Sequence, residues 1–300
     1  MAAPGKLVLP VFFAVILIGA IVFGPLIYFL MQAVWPIPFH RAMDRALLIS
    51  ALAALGLFWS RIEFRSLWPC DGGAWKHVLL GLAIAFVSIQ AMIGFDLAAA
   101  GFHSSHLGAG KAWGRVLMAL VAAVIAAPAE ETVFRGFLQR EFTRGLGWRM
   151  GWILAAAIFA LAHFLKVPVE LDKQPVHLWS GAPALVSAFA QIGHALASPE
   201  NVAKMLNLLL VGLILGGIFL RSGSLWLNAG LHAGWIFGLL LFTGLTQPDE
   251  PPRLAWLGGN ILSSLVTTVV LIVLGLWLWR FYRHPSVQPE SAPGNGANAP

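Results

Sequence analysis

The stretch VLMALVAAVIAAPAEETVFR, residues 116–135, is apolar from Val116 to Phe134 except for two adjacent glutamates, Glu130 and Glu131, and it closes on Arg135. About 20 residues of helix cross a hydrocarbon core, so a run of this length and composition reads as a membrane-spanning helix. A charged side chain at membrane depth costs several kcal/mol, roughly 2.5 to 3.5 on insertion scales, which makes an intramembrane acid a functional-site candidate by default. Two acids side by side strengthen that expectation.

The rest of the chain agrees with the reading of this segment. Of 300 residues, 59% are hydrophobic and only 11% are charged, less than half the roughly 25% usual in soluble domains. Nearly uncharged stretches recur at Leu7–Trp35, Ala46–Ser60, Val78–Ala100, Val116–Phe137, Trp148–Leu165, Met205–Leu220, Leu225–Leu245 and Ile261–Trp279. These runs are too long and too unalternating for barrel strands, and lipid offers backbone groups no partners. The expected fold is therefore all-α: a polytopic transmembrane helix bundle of about eight spans. The first run follows Lys6 as a signal peptide would, but its apolar part is about twice the length of such a segment, so it is expected to be a retained helix.

Four regions are expected: N-terminal transmembrane helices over 1–115, a core over 116–245, a C-terminal transmembrane helix over 246–283, and a Pro-, Ser-, Gly- and Asn-rich tail over 284–300 that cannot bury enough surface to order itself. Trp35, Trp59, Trp68, Trp148, Trp226, Trp277 and Trp279 fall near the ends of apolar runs, as interfacial anchors do. Pro10 and Pro25 are expected to bend the first span, and Pro128 to kink the helix just before the glutamates. The segment Lys166–Ala203 is more polar and is expected to form a loop with an interfacial or re-entrant helix, a hypothetical substrate gate.

The net charge of +6 is spread through loops, which argues against nucleic acid. With eight spans, eleven of the nineteen Lys and Arg residues fall on the side of both termini: Lys6, Arg61, Arg65, Lys76, Arg135, Arg140, Arg144, Arg149, Arg221, Arg280 and Arg283. That bias favours cytoplasmic termini. A single cysteine, Cys70, excludes an intrachain disulfide and a thiolate metal cluster.

Spacing assigns different roles to the two acids. Glu131 and Arg135 are i,i+4 neighbours and can pair, while Glu130 points about 100° away. Both glutamates could instead merely pair with arginines or line a water-filled crevice. His163 ends the next apolar run, in Phe159-Ala160-Leu161-Ala162-His163, where a lone histidine is more often a packing residue than a ligand. Geometry shifts that balance. If the two helices turn near Gly145 and Gly147, Glu130 lies 15 residues before the turn and His163 lies 16 after it, both about 22 to 24 Å from the tip. Asn228 and His232, four apart in a third helix of small residues, share a face. Asp96, near the end of the third run, is expected to be interfacial or paired, and His103, His106, His177 and His194 are not recruited to a site.

These residues resemble the CPBP, or Abi, family of intramembrane proteases, which includes type II CAAX prenyl endopeptidases and bacteriocin-processing or immunity proteins. Glu130, Glu131 and Arg135 match its EExxxR motif, Phe159 and His163 match FxxxH, and His232 matches the first position of a third motif that usually carries Asn or Asp four residues later. Here that later position is Ile236, and Asn228, one turn earlier, is a candidate substitute by spacing alone. The resemblance covers roughly Val116–Gly244. It implies an intramembrane endopeptidase with catalytic Glu130, His163 and His232, supported by Glu131, Arg135 and Phe159; Asn228 is added as a supporting residue by its spacing from His232.

On this reading Glu130 is the general base, His163 holds the water, and His232, with Asn228, donates to the oxyanion. The rival chemistry is zinc held by Glu130, His163 and His232, with an open position for water; metal-free chemistry is favoured. The expected partners are the lipid bilayer and a membrane-anchored or lipidated protein substrate, in an integral, multi-pass protein of a bacterial inner membrane. The competing functions are a non-catalytic immunity or scaffold protein of the same fold, and a proton-coupled transporter.

Overall fold

The structure, a computed structural model, describes residues 7–70, 72–100, 102–248 and 260–282. The expected tail, together with Lys6 and Arg283, lies outside the described residues. The helices are α1 (Val8–Val34), α2 (Phe39–Leu57), α3 (Phe64–Leu67), α4 (Ala74–Ala100), α5 (Ala109–Glu131), α6 (Arg140–Leu146), α7 (Trp148–Ala162), α8 (Gly181–Leu196), α9 (Pro199–Ser222), α10 (Trp226–Leu245) and α11 (Leu265–Phe281). Two three-residue strands, β1 (Phe102–Ser104) and β2 (Thr246–Pro248), pair antiparallel and tie the end of α4 to the end of α10. Among the described residues the fold is all-α apart from this clasp.

Among the described residues, five helical stretches are long and apolar enough to cross a membrane: Val8–Val34, Ala74–Ala98, Ala109–Leu146, Pro199–Ser222 and Trp226–Leu245. The shorter apolar helices α7 and α11, and α2 with Arg41, Asp44 and Arg45 near its start, account for the remaining expected runs. Helix starts differ from the apolar boundaries because backbone chemistry sets them. Helix α2 begins directly after Pro38, and α9 begins at Pro199, where a missing N–H costs nothing and Glu200 favours the positive helix end. Helix α11 begins after Ser264, whose hydroxyl accepts from the backbone N–H of Val266.

Small residues decide how the helices approach. In α10, Gly230, Gly234 and Gly238 face Val78, Ala85 and Ile89 of α4, while Gly81 leaves room for the α10 backbone at Leu227 and Leu231. These matched numbers rise together, so α4 and α10 run parallel in a glycine seam. Helix α9 lays Gly212 on Ala156 and Gly216 beside Trp152, so α7 and α9 run antiparallel. One apolar core, including Ile89, Met92, Leu215, Leu231 and Leu271, fills the space among α4, α9, α10 and α11. A second, including Phe12, Leu55, Leu67, Phe137 and Phe219, joins α1, α2 and α3 to the helix that follows α5. Asp96 is a buried partner of Ser264, at the start of α11.

The segment after His163 forms a 3-10 turn over Val169–Lys173 and then α8. Gly181 meets the backbone of Ile21 at the middle of α1, and Ala184 and Ala188 pack with Phe39, Met43 and Val167. Since α7 and α9 are antiparallel neighbours, this connection enters the bundle and returns to the end it left. Asp172 fastens it to the start of α2, accepting from the backbone N–H of His40 at 3.0 Å and meeting His40 Nδ1 at 2.6 Å.

Candidate active site

Between Glu131 and Arg140 the helix changes pitch. Pro128 has no N–H to donate to the preceding turn, Thr132 Oγ1 donates to the Pro128 carbonyl at 2.7 Å, and residues Thr132–Gln139 continue as a π-helix. Arg135, Gly136, Phe137, Leu138 and Gln139 are all buried, so the later part of the wide turn is enclosed, while Thr132, Val133 and Phe134 are half-buried. Gly147, at φ +82°, then allows the tight reversal into α7 that Gly151, set against Thr143, packs closely.

Glu131 is fully buried and is the hub of the site. Arg135 Nη1 donates to Glu131 Oε1 at 2.9 Å, His232 Nδ1 meets the same oxygen at 2.8 Å, and Asn228 Nδ2 donates to Oε2 at 3.1 Å. Arg135 Nη2 reaches on to the Gly212 carbonyl at 3.3 Å, and Gln139 Nε2 donates to the Gly216 carbonyl at 3.1 Å, which binds the π-helix to α9. A buried carboxylate is tolerable when its lone pairs are met by charge and hydrogen bonds, and here they are. The i,i+4 pair expected from spacing is present. The direct contact of Glu131 with His232 carried no sequence signal, because it depends on the register of α10 against α5.

Glu130 faces the other way, as its spacing requires. Its Oε2 lies 3.7 Å from His232 Nε2, beyond hydrogen-bond length, and is buried without a partner among the described residues, although the side chain as a whole is 29% exposed. His232 thus sits between the two glutamates, with Nδ1 on Glu131 and Nε2 toward Glu130. His163 closes α7 with Nδ1 against the Phe159 carbonyl at 2.8 Å, which leaves Nε2 available. In both histidines the oxygen partner accepts from Nδ1–H, so the two Nε2 atoms are left outside these bonds.

Phe159 is the apolar wall that unites these groups. Its ring lies 4.6 Å from the His163 ring, 5.7 Å from the His232 ring and 5.1 Å from Phe134, and the Arg135 guanidinium sits over it at 4.6 Å. His163 and His232 line one cavity of about 120 Å³, otherwise mostly apolar, with Trp235, Ile236 and Leu239 on one wall and Asn207 and Thr267 on another. Ile236 therefore presents a hydrocarbon surface to this space. Asn228 does not reach it: both amide protons are taken up, one by Glu131 and one by the Leu215 carbonyl at 2.7 Å. Its geometry is that of a clamp on Glu131, with no proton left for a reacting oxygen.

Gln139, Gly212 and Phe134 were not singled out by the sequence, since nothing in their spacing marks them. Cys70 is a free, exposed thiol. Among the described residues, no group of three or more His, Cys, Asp or Glu side chains stands out as a metal site. What the arrangement offers is a carboxylate with an open oxygen, two oriented imidazoles and an apolar cavity beside them.

Residues 112–238 match the family model described as type II CAAX prenyl endopeptidase Rce1-like. No curated protein and no solved structure matches the chain.

Proposed function

We propose, on the premise that residues 112–238 belong to the Rce1-like type II CAAX prenyl endopeptidase family, that this integral membrane protein cleaves a peptide bond near the membrane-anchored or lipidated end of a protein substrate. Glu130 is the general base that takes a proton from water. His163, its Nδ1 fixed by Phe159, holds that water through Nε2. His232, oriented by Glu131, donates Nε2–H to the oxyanion when its ring is doubly protonated. Glu130 then returns its proton to the leaving amine, so the proton count closes without another reactant. Glu131, Arg135 and Asn228 are positioning residues. The substrate reaches the site from lipid, and the termini lie on the cytoplasmic side in this reading.

The observation that carries the proposal is His232 held by one glutamate while it faces another, in a cavity shared with His163. The test uses the full chain in liposomes with a membrane-anchored, lipidated reporter peptide. Glu130→Gln should lower kcat/KM by at least about 10²-fold, within the usual range for a lost general base. Wild-type rates from folded Glu130→Gln protein would overturn the mechanism. Cleavage should also persist after exhaustive chelation; loss that zinc alone restores would replace the protein-only scheme.

Ile236, in the cavity wall where the family pattern carries Asn or Asp, favours one second reading, a non-catalytic immunity or scaffold protein of the same fold. An unchanged cellular phenotype in folded Glu130→Gln and His163→Ala proteins would support it against proteolysis.

A further inference from the structure

A second opening lies away from the histidines. Helices α7, α9 and α11 enclose a groove of about 340 Å³ whose lining includes Trp152, Ile214, Gly217, Ile272, Gly275 and Leu276. Two glycines remove side chains from its surface: a Cβ at Gly217 would touch Trp152 and Trp279, and one at Gly275 would press on Ile214 at 3.2 Å. Ile272 and Leu276 are 44% and 66% exposed, so the apolar groove opens sideways, toward hydrocarbon in a spanning bundle.

Its end at the close of α9 and α11 is cationic. Arg221 lines the groove there, stacks 3.9 Å from the Trp279 ring, and donates through Nη1 to the Tyr282 carbonyl at 3.3 Å. Its Nε is buried without a partner. Arg149 lies one turn before Trp152 on α7, and Arg280 lies one turn after Leu276 on α11. Among the described residues none of these three arginines pairs with a carboxylate. Glu63 and Glu141, at the same end, are engaged by Arg140 and by Arg61 and Arg144. A partly buried guanidinium without a counter-ion is unfavourable, and a phosphate supplies both charge and acceptors.

We propose that this groove binds an anionic phospholipid, with an acyl chain along α9 between α7 and α11 and the phosphate against Arg221. Arg221, which lines the groove without a carboxylate partner, selects net negative charge, which a zwitterionic headgroup does not offer. The proposal is independent of the proteolytic reading, because it uses none of the residues assigned to that site.

Native mass spectrometry of the full chain in detergent, with phosphatidylglycerol or phosphatidylcholine of identical acyl chains, tests it. The wild type should retain phosphatidylglycerol over phosphatidylcholine by roughly fivefold or more, the selectivity expected from a single arginine near a lipid surface. Arg221→Gln should bring the ratio close to one, and Arg221→Lys should largely keep it. Ile272→Trp, which fills the groove at a lipid-facing position and leaves every arginine in place, should lower retention of phosphatidylglycerol several-fold. Equal retention of both lipids by the wild type, or an unchanged ratio in Arg221→Gln, would overturn the proposal. If Arg221→Gln does not fold, unchanged phosphatidylglycerol retention by Ile272→Trp overturns it alone.

Discussion

Two neighbouring glutamates carry different burdens, and their amides should separate them. Glu131→Gln leaves Arg135 as a buried charge without its anion, a change that costs about 3–5 kcal/mol when one partner of a buried pair is removed. Glu130→Gln removes a charge that has no hydrogen bond at its buried oxygen and lies 3.7 Å from His232, which keeps its closer partner Glu131. Thermal unfolding in detergent should therefore show a large fall in Tm for Glu131→Gln and little change for Glu130→Gln, while cleavage is lost in both. Equal Tm values for the two would remove Glu131 from its role as hub. Asn228→Ala should lie between, at about 1–3 kcal/mol, since it leaves the Leu215 carbonyl and one Glu131 oxygen short of a donor. The Glu131–Arg135 pair could be read from a four-residue spacing. The bond from His232 to Glu131 could not, because 101 residues separate them and only packing fixes their register.

At the level of elements, the glycine seam between α4 and α10 sets the position of His232. Gly230 sits against the backbone of Val78, which cannot yield as a side chain can. Gly230→Ala should destabilise by roughly 1–3 kcal/mol and, by pushing α10 from α4 two residues before His232, should lower cleavage as well. Gly145→Ala is the control: nothing lies within 4 Å of the added carbon, and the change should be neutral or stabilising by up to about 1 kcal/mol. Unfolding curves and reporter cleavage on both variants check the pair, and a neutral Gly230→Ala would refute the seam. Small residues in α10 were legible as a contact face, but their partner was not. The π-helix over Thr132–Gln139 was legible only in its cause: Pro128 announced a disturbed turn, and whether that becomes a kink or a wide turn depends on what encloses the next eight residues.

Across the whole molecule, the helices hold a connection that enters and returns, fastened at His40 and Asp172. Asp172→Asn weakens that fastening without touching the site. Amide exchange over residues 166–180 should then accelerate by about tenfold, equivalent to about 1.4 kcal/mol of lost local protection, while α9 and α10 keep theirs. Exchange unchanged over 166–180 would mean that α8 packing alone secures this segment. The spans and the all-helical class were fixed by composition and order, because a bilayer rejects unpaired backbone and demands long apolar runs. An expectation that Glu130 and His163 share a depth could also be counted from the rise per residue on either side of the Gly145–Gly147 turn. Which carboxylate holds His232, why Asn228 serves as a clamp, and where the arginine-ended groove opens were decided only by tertiary structure. Hydrophobicity and spacing act along one helix, whereas a hydrogen bond of 2.8 Å between helices depends on how side chains of particular volume set rotation and height across the interface.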